Sequence, residues 1–263
     1  MEGSFARVLL FCAMLFVPPT IARISTKLPS LRTILPMQPS KLSAFAAKNH
    51  RNRFKFMSVR RAMSATDSAI SKRVLVPIAN GSEEIETTCI TDTLTRFGAS
   101  VTVASANADG SLVCTMSRGI KFMADLSVAE ALSSGGDDWD LVALPGGMPG
   151  AEHLRDCEPL VELLRTRSAA GSLNAAICAS PAVVFGAHNL LPKGESAAAT
   201  CYPAPPFRSV LGEIASESDV VVSGNIVTSK GPGTSLKFGL QLGELLYGKE
   251  AADKIAAEML VDR

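Results

Sequence analysis

From Arg73 onward the chain repeats one pattern: a short apolar or β-branched run bounded by Gly, Pro or Asn, then a longer segment with apolar residues at helical spacing. The runs cover residues 74–79, 100–104, 141–144, 174–177 and 226–229. Strands that are apolar without alternation are covered on both faces, which requires helices on each side of the sheet. Helical segments are predicted at 83–97, closed by Gly98, at 159–170, closed by Gly171, and at 234–247, closed by Gly248, with a last one at 249–259. Glycine stops a helix because it enters the positive-φ region that other residues resist. Strand, helix and strand in repetition specify an α/β fold, a mostly parallel sheet sandwiched between helices. Two interruptions, 112–115 followed by 120–124 and 220–222 followed by Ser223-Gly224-Asn225, read as small hairpins at the sheet edge.

The amino-terminal part obeys other rules. Residues 1–66 hold 11 Lys and Arg against one carboxylate, Glu2, while residues 67–263 hold 15 bases and 24 acids, so an overall charge of +1 conceals parts of +10 and −9. Arg7 precedes the apolar run 8–17, too short to span a bilayer as a helix, and Thr20-Ile21-Ala22 offers small residues for signal cleavage. Residues 23–66 lack Asp and Glu, and mix Ser, Thr, Lys and Arg with scattered prolines, the composition of a transit peptide. Residues 1–22 thus read as a signal peptide and 23–70 as a basic, disordered transit-like leader, together a plastid address ahead of a domain over 71–263. Translation from Met57 or Met63 would instead leave a cytoplasmic protein. Neither reading contains a membrane span. With 47% hydrophobic residues in the chain a sizeable core is possible, and the acidic balance of the domain leaves no nucleic-acid-binding patch.

The domain retains Cys89, Cys114, Cys157, Cys178 and Cys201. Their irregular spacing suggests no disulfide framework, and the absence of a C-x-x-C pair argues against structural zinc. His153 and Cys157, four apart, could face one way on a helix, but two ligands do not make a metal site. No metal and no cofactor are expected.

In open α/β sheets chemistry gathers outside the carboxyl ends of the strands. After the first strand comes Asn80-Gly81-Ser82-Glu83-Glu84-Ile85-Glu86, whose three acids could all serve to complement a helix dipole. After the strand ending at Leu144 comes Pro145-Gly146-Gly147-Met148-Pro149-Gly150, where paired glycines either bring backbone N–H groups to a ligand or make a tight turn. Neither loop is a G-x-G-x-x-G or G-K-[ST] phosphate motif, and the acidic first loop would repel the phosphate of a flavin or nucleotide. The most specific segment is Asn174-Ala175-Ala176-Ile177-Cys178-Ala179-Ser180-Pro181. A buried strand that turns sharply into a helix around a nucleophile needs small neighbours, the logic of the elbow in Ser hydrolases. At such a helix start Cys178 should have a lowered pKa and raised reactivity, whereas a cysteine inert in the core is the alternative.

AAICASP at 175–181, NGSEEIET at 80–87, LPGGMPGAEHL at 144–154 and TSKGPGTS at 228–235 resemble the DJ-1/PfpI superfamily, most closely its DJ-1 branch. The resemblance covers about residues 72–260 and implies a flavodoxin-like sandwich that forms a homodimer. It implies a reactive cysteine at Cys178 and a protonated glutamate at Glu86 hydrogen-bonded to its sulfur. It further implies backbone donors at Gly147 and Ala179, with Gly146 alongside, and Arg118 near the pocket across the dimer. Some members place a histidine near the cysteine, but here Thr200-Cys201-Tyr202-Pro203 occupies that stretch. His153 and His188 are left without an assigned part, His188 reading as a hydrogen-bonded structural residue, and a Cys-His-Asp triad is unsupported. The implied activity is cofactor-independent removal of a small reactive carbonyl or glycated substrate, of glyoxalase or deglycase type. The alternative is an oxidative-stress sensor or chaperone acting through oxidation of the same cysteine.

Overall fold

A computed structural model describes residues 71–135 and 138–263; the signal and transit readings fall on residues outside these. Nine strands are present among the described residues: β1 (Arg73–Ile78), β2 (Ser100–Ser105), β3 (Val113–Thr115), β4 (Lys121–Met123), β5 (Leu126–Ser127), β6 (Leu141–Leu144), β7 (Leu173–Ile177), β8 (Val220–Ser223) and β9 (Ile226–Ser229). Seven of them form one sheet in the order β5-β2-β1-β6-β7-β9-β8, parallel throughout except for the β8–β9 hairpin. This is the mostly parallel α/β sandwich expected from the repeating pattern.

The alternation of side chains along β1 shows why its sequence is apolar without a break. Val74, Val76 and Ile78 point to one face and pack with Ile90 and Leu94 of helix α1 (Glu84–Arg96) and Phe238 and Leu242 of α6 (Ser235–Tyr247). Leu75 and Ala79 point to the other, where they meet Val128 of α2 (Val128–Gly135), Leu154 of α3 (Gly150–Arg155) and Leu160 and Leu164 of α4 (Glu158–Ala169). Both faces are thus closed by helices. A short α5 (Pro205–Leu211) and a terminal α7 (Lys249–Glu258) complete the described helices.

The structure departs from the expectations in three places. The 113–123 hairpin is not attached to the edge of the main sheet: β3 and β4 form a separate two-stranded sheet. It lies on the loop after β1, where the Gly81 N–H donates to the Thr115 carbonyl (2.8 Å) and the Ser117 N–H to the Ser82 carbonyl (2.8 Å). His153 and Cys157 do not share a helix, because α3 ends at Arg155 and Cys157 caps α4. The helix expected to begin at Pro181 is present but takes π-helical form, Pro181–Gly186. All five cysteines of the domain are free.

Candidate active site

The carboxyl ends of β1, β6 and β7 converge on Cys178. The Cys178 N–H still donates to the Ser229 carbonyl of β9 (2.9 Å), but the residue itself has φ 65°, the left-handed region that costs a non-glycine residue roughly 1–2 kcal/mol. The chain accepts that cost because the turn is held on several sides. The Cys178 carbonyl accepts the Tyr202 N–H at 2.7 Å, and the Ser180 hydroxyl donates to the Pro145 carbonyl at 2.6 Å. Ala179 and Ser180 are both buried.

That loop is equally tight. A methyl group on Gly146 would lie 2.7 Å from the Cys178 Cβ and 2.9 Å from the Ala179 nitrogen, so glycine is required for the loop to touch the elbow. Gly147, at φ 87°, presses on the loop after β1: its Cβ would come within 2.5 Å of the Gly81 carbonyl oxygen and 2.7 Å of the Glu83 nitrogen. The Glu83 N–H donates to the Gly146 carbonyl (3.0 Å), and the Gly146 N–H donates to Glu86 Oε2 (2.6 Å). Interlocked loops therefore bring an acid from α1 to the cysteine of the elbow.

The three acids of the β1 loop have separate tasks, which corrects the reading that all complement a helix dipole. Glu83 caps α1, its Oε2 accepting the Glu86 N–H at 2.8 Å. Glu84 is buried and accepts the Ser117 hydroxyl (2.8 Å) and the Arg118 N–H (2.7 Å), clamping the turn between β3 and β4. Burial pushes the Glu84 carboxyl up, but those donors, with its own N–H and that of Ile120, hold it below the usual range. Glu86 is fully buried; Oε2 takes the Gly146 N–H while Oε1 has no conventional hydrogen bond. Burial raises the Glu86 pKa to about 7, against the Gly146 N–H and the Cys178 thiol, which lower it, and with the Glu83 charge adding to the rise.

Cys178 departs from the expectation of a lowered pKa. Burial, then the charge of Glu86 and its hydrogen bond, push the thiol well above its ordinary value, outweighing the Gly147 and Ala179 N–H groups that favour the thiolate. Two of the three opposing causes belong to Glu86 and vanish when it carries a proton. The carboxyl O–H then becomes a donor to sulfur, and the thiolate faces Glu86 together with the two N–H groups. Glu86 thus lies where it can take the Cys178 proton when the thiolate forms.

Cys178, Glu86, Gly146, Gly147 and Ala179 are brought together. Arg118 is not shown to join them within one chain: it is exposed, its backbone N–H on Glu84 and its guanidinium on the Ser117 carbonyl (3.3 Å). Both histidines lie on backbone carbonyls, His153 Nδ1 2.8 Å from Asn80 and His188 Nε2 2.9 Å from Arg155, which gives His188 the structural part read from the sequence. A cavity of about 680 Å³, lined by Asn107, His153 and Cys157 among others, opens between the end of β2 and the start of α4 and does not include Cys178. Tyr202 and Gly231 border the sulfur and were not singled out from the sequence. The signal was available in part, since Tyr202 stands where a histidine was sought and Gly231 lies in TSKGPGTS. Among the described residues no group of three or more His, Cys, Asp or Glu could hold a metal.

A model of the DJ-1/PfpI family matches residues 72–245. The chain belongs to that family. Among its DJ-1 relatives, the Arabidopsis thaliana protein DJ-1 homolog B is 42% identical over 201 residues, which are 76% of this chain and 44% of the relative, so the chain spans about half of that protein's length. The Caenorhabditis elegans glutathione-independent glyoxalase DJR-1.2 is 31% identical over 194 residues, 73% of this chain and 96% of the relative. Among solved structures, Toxoplasma gondii DJ-1 in its oxidized form is 44% identical, with TM-score 0.67, covering 73% of this chain and all of that one. These likenesses place the chain in the DJ-1 branch.

Proposed function

We propose that the domain converts a 2-oxoaldehyde such as methylglyoxal to the corresponding 2-hydroxy acid without a cofactor. The observation that carries this is the acid buried beside the elbow cysteine, Glu86 held by the Gly146 N–H (2.6 Å) on the loop that touches Cys178, with its pKa raised by burial to about 7. Cys178 gives its proton to Glu86 and its sulfur adds to the aldehyde carbon; the C=O electron pair moves to oxygen, which takes that proton back from Glu86 to give a thiohemiacetal. Ionised Glu86 then removes the hydrogen on that carbon, giving an enediolate whose charge rests on the neighbouring oxygen; Glu86 returns the proton to the neighbouring carbon while the hydroxyl proton passes between the two oxygens, which leaves the thioester of the 2-hydroxy acid. Water cleaves the thioester, releasing the acid and restoring the thiol. One aldehyde and one water give one hydroxy acid, with no net oxidation. An acid titrating near neutrality suits this work, because it must hold a proton in one step and lack it in the next. The printed name of the C. elegans relative, a glutathione-independent glyoxalase, supports the reading.

The test is lactate formation from methylglyoxal by the wild-type protein and by Cys178→Ser. Sustained turnover by the first and loss in the second are expected; equal lactate from both would remove Cys178 from the chemistry. A redox-sensing reading draws on the oxidized form of the T. gondii relative and on the same residues, since a protonated Glu86 could donate to a sulfinate oxygen on Cys178. Peroxide titration with intact-mass detection distinguishes it: a gain of two oxygens on Cys178 at low peroxide supports sensing, and preferential oxidation of another cysteine counts against it.

A further inference from the structure

Tyr202 and Gly231 stand beside Cys178 without a part in the chemistry above. Tyr202 is anchored by its own N–H, which donates to the Cys178 carbonyl at 2.7 Å, and its ring meets Phe207 edge-on with centroids 6.2 Å apart. Tyr202 is 44% exposed although its neighbour Cys201 is buried, so its ring lies at the surface beside the elbow. Gly231 supplies the second observation. A methyl group built on it would lie 3.5 Å from Tyr202 Cδ2 and 3.9 Å from the Cys178 sulfur, so ring and sulfur border one space that glycine leaves open. The backbone there, with φ 161°, is extended and does not itself call for glycine.

We propose that Tyr202 and Gly231 form a slot that selects electrophilic carbonyl compounds bearing a flat substituent, an aryl group in preference to a methyl. The aldehyde carbon meets the Cys178 sulfur while the substituent lies over Gly231 against the Tyr202 ring. As a substrate preference this deepens the dicarbonyl reading and rests on it. The slot itself is defined by geometry and is measurable with electrophiles that need no turnover.

Two ratios test it. The first is kcat/KM for phenylglyoxal over methylglyoxal. The second is the rate constant for alkylation of Cys178 by N-benzyl iodoacetamide over N-methyl iodoacetamide, followed by peptide mass. Tyr202→Ala should lower both ratios about tenfold, corresponding to about 1.4 kcal/mol of aromatic contact. Tyr202→Phe, which keeps the ring, should retain most of each ratio. Gly231→Ala, which fills the slot without straining the backbone, should lower both ratios as well. If Tyr202→Ala slows large and small compounds equally, or leaves the alkylation ratio unchanged, Tyr202 merely braces the elbow and the slot is refuted. If the wild-type protein turns over neither dicarbonyl, the glyoxalase reading fails, and the alkylation ratio still decides the slot.

Discussion

Three glutamates within four positions show how much one residue's environment decides. Glu86→Gln keeps an oxygen for the Gly146 N–H and a donor toward sulfur but cannot carry a proton, so dicarbonyl turnover should fall by roughly two to four orders of magnitude. The alkylation rate of Cys178 should change as well, because two of the causes that raise its thiol belong to Glu86. The same variant reports on stability. Because burial raises the folded pKa of Glu86 to about 7 from an ordinary value of 4.5, the native state binds more protons than the unfolded chain between those values. The contribution is fully present below about pH 4.5 and is lost as pH rises through about 7. Denaturant melts should therefore show wild-type stability declining across that window by up to about 3 kcal/mol relative to Glu86→Gln, and parallel curves would disprove the shift. Glu84→Gln puts an amide against two donors and should cost about 1–3 kcal/mol, whereas Glu83→Gln retains a capping oxygen and should cost under about 1 kcal/mol. Equal melting temperatures for the two would show that Glu84 is not a clamp. From the sequence these acids looked alike, because their difference lies in partners at Ser117, Arg118 and Gly146 that local spacing does not reveal.

At the scale of elements, legibility followed length and periodicity. Strands β1, β2, β6, β7 and β9 are predicted to within a residue or so at each end, because each is a run of apolar and β-branched residues bounded by turn residues or helix stops. β5, with two residues, and α3, with six, were not anticipated, being too short to express a period. The elbow was legible from its small residues, but the π-helical form of the following turn was not, since that depends on how the β6 loop and Tyr202 hold its start. Nor could the sequence show that burial and Glu86 outweigh the backbone donors at Cys178. The glycine of the β6 loop offers a direct check: Gly146→Ala sets a methyl against the Cys178 Cβ and the Ala179 nitrogen, neither of which is a flexible side-chain end. Its expected cost is about 1–3 kcal/mol, and Cys178 alkylation kinetics should change with it. Unchanged melting and unchanged alkylation would mean that the loops are not interlocked as described.

For the whole molecule, assembly is the outstanding quantity. Ile85 on α1, Val113 on β3 and Ile120 and Met123 on the hairpin are large apolar side chains left exposed on one chain. With the homodimer implied by family resemblance, they are expected to be covered in solution. Light scattering at micromolar concentration should give twice the protomer mass, and Met123→Lys, at a position 77% exposed in the single chain, should shift the mass toward one protomer. A monomer in the wild type would leave Arg118 with no route to a neighbouring pocket. The interlocked loops carry a consequence in time as well as in space. Glu86 and Gly146 are separated by 60 residues along the chain yet joined by one hydrogen bond, and the elbow that they flank lies later still. Such long-range closure comes after local helices have formed, and none of these segments can assemble the pair alone. During refolding from denaturant, therefore, the distinctive reaction rate of Cys178 should emerge only with the final native phase, so that the nucleophile itself times the completion of folding.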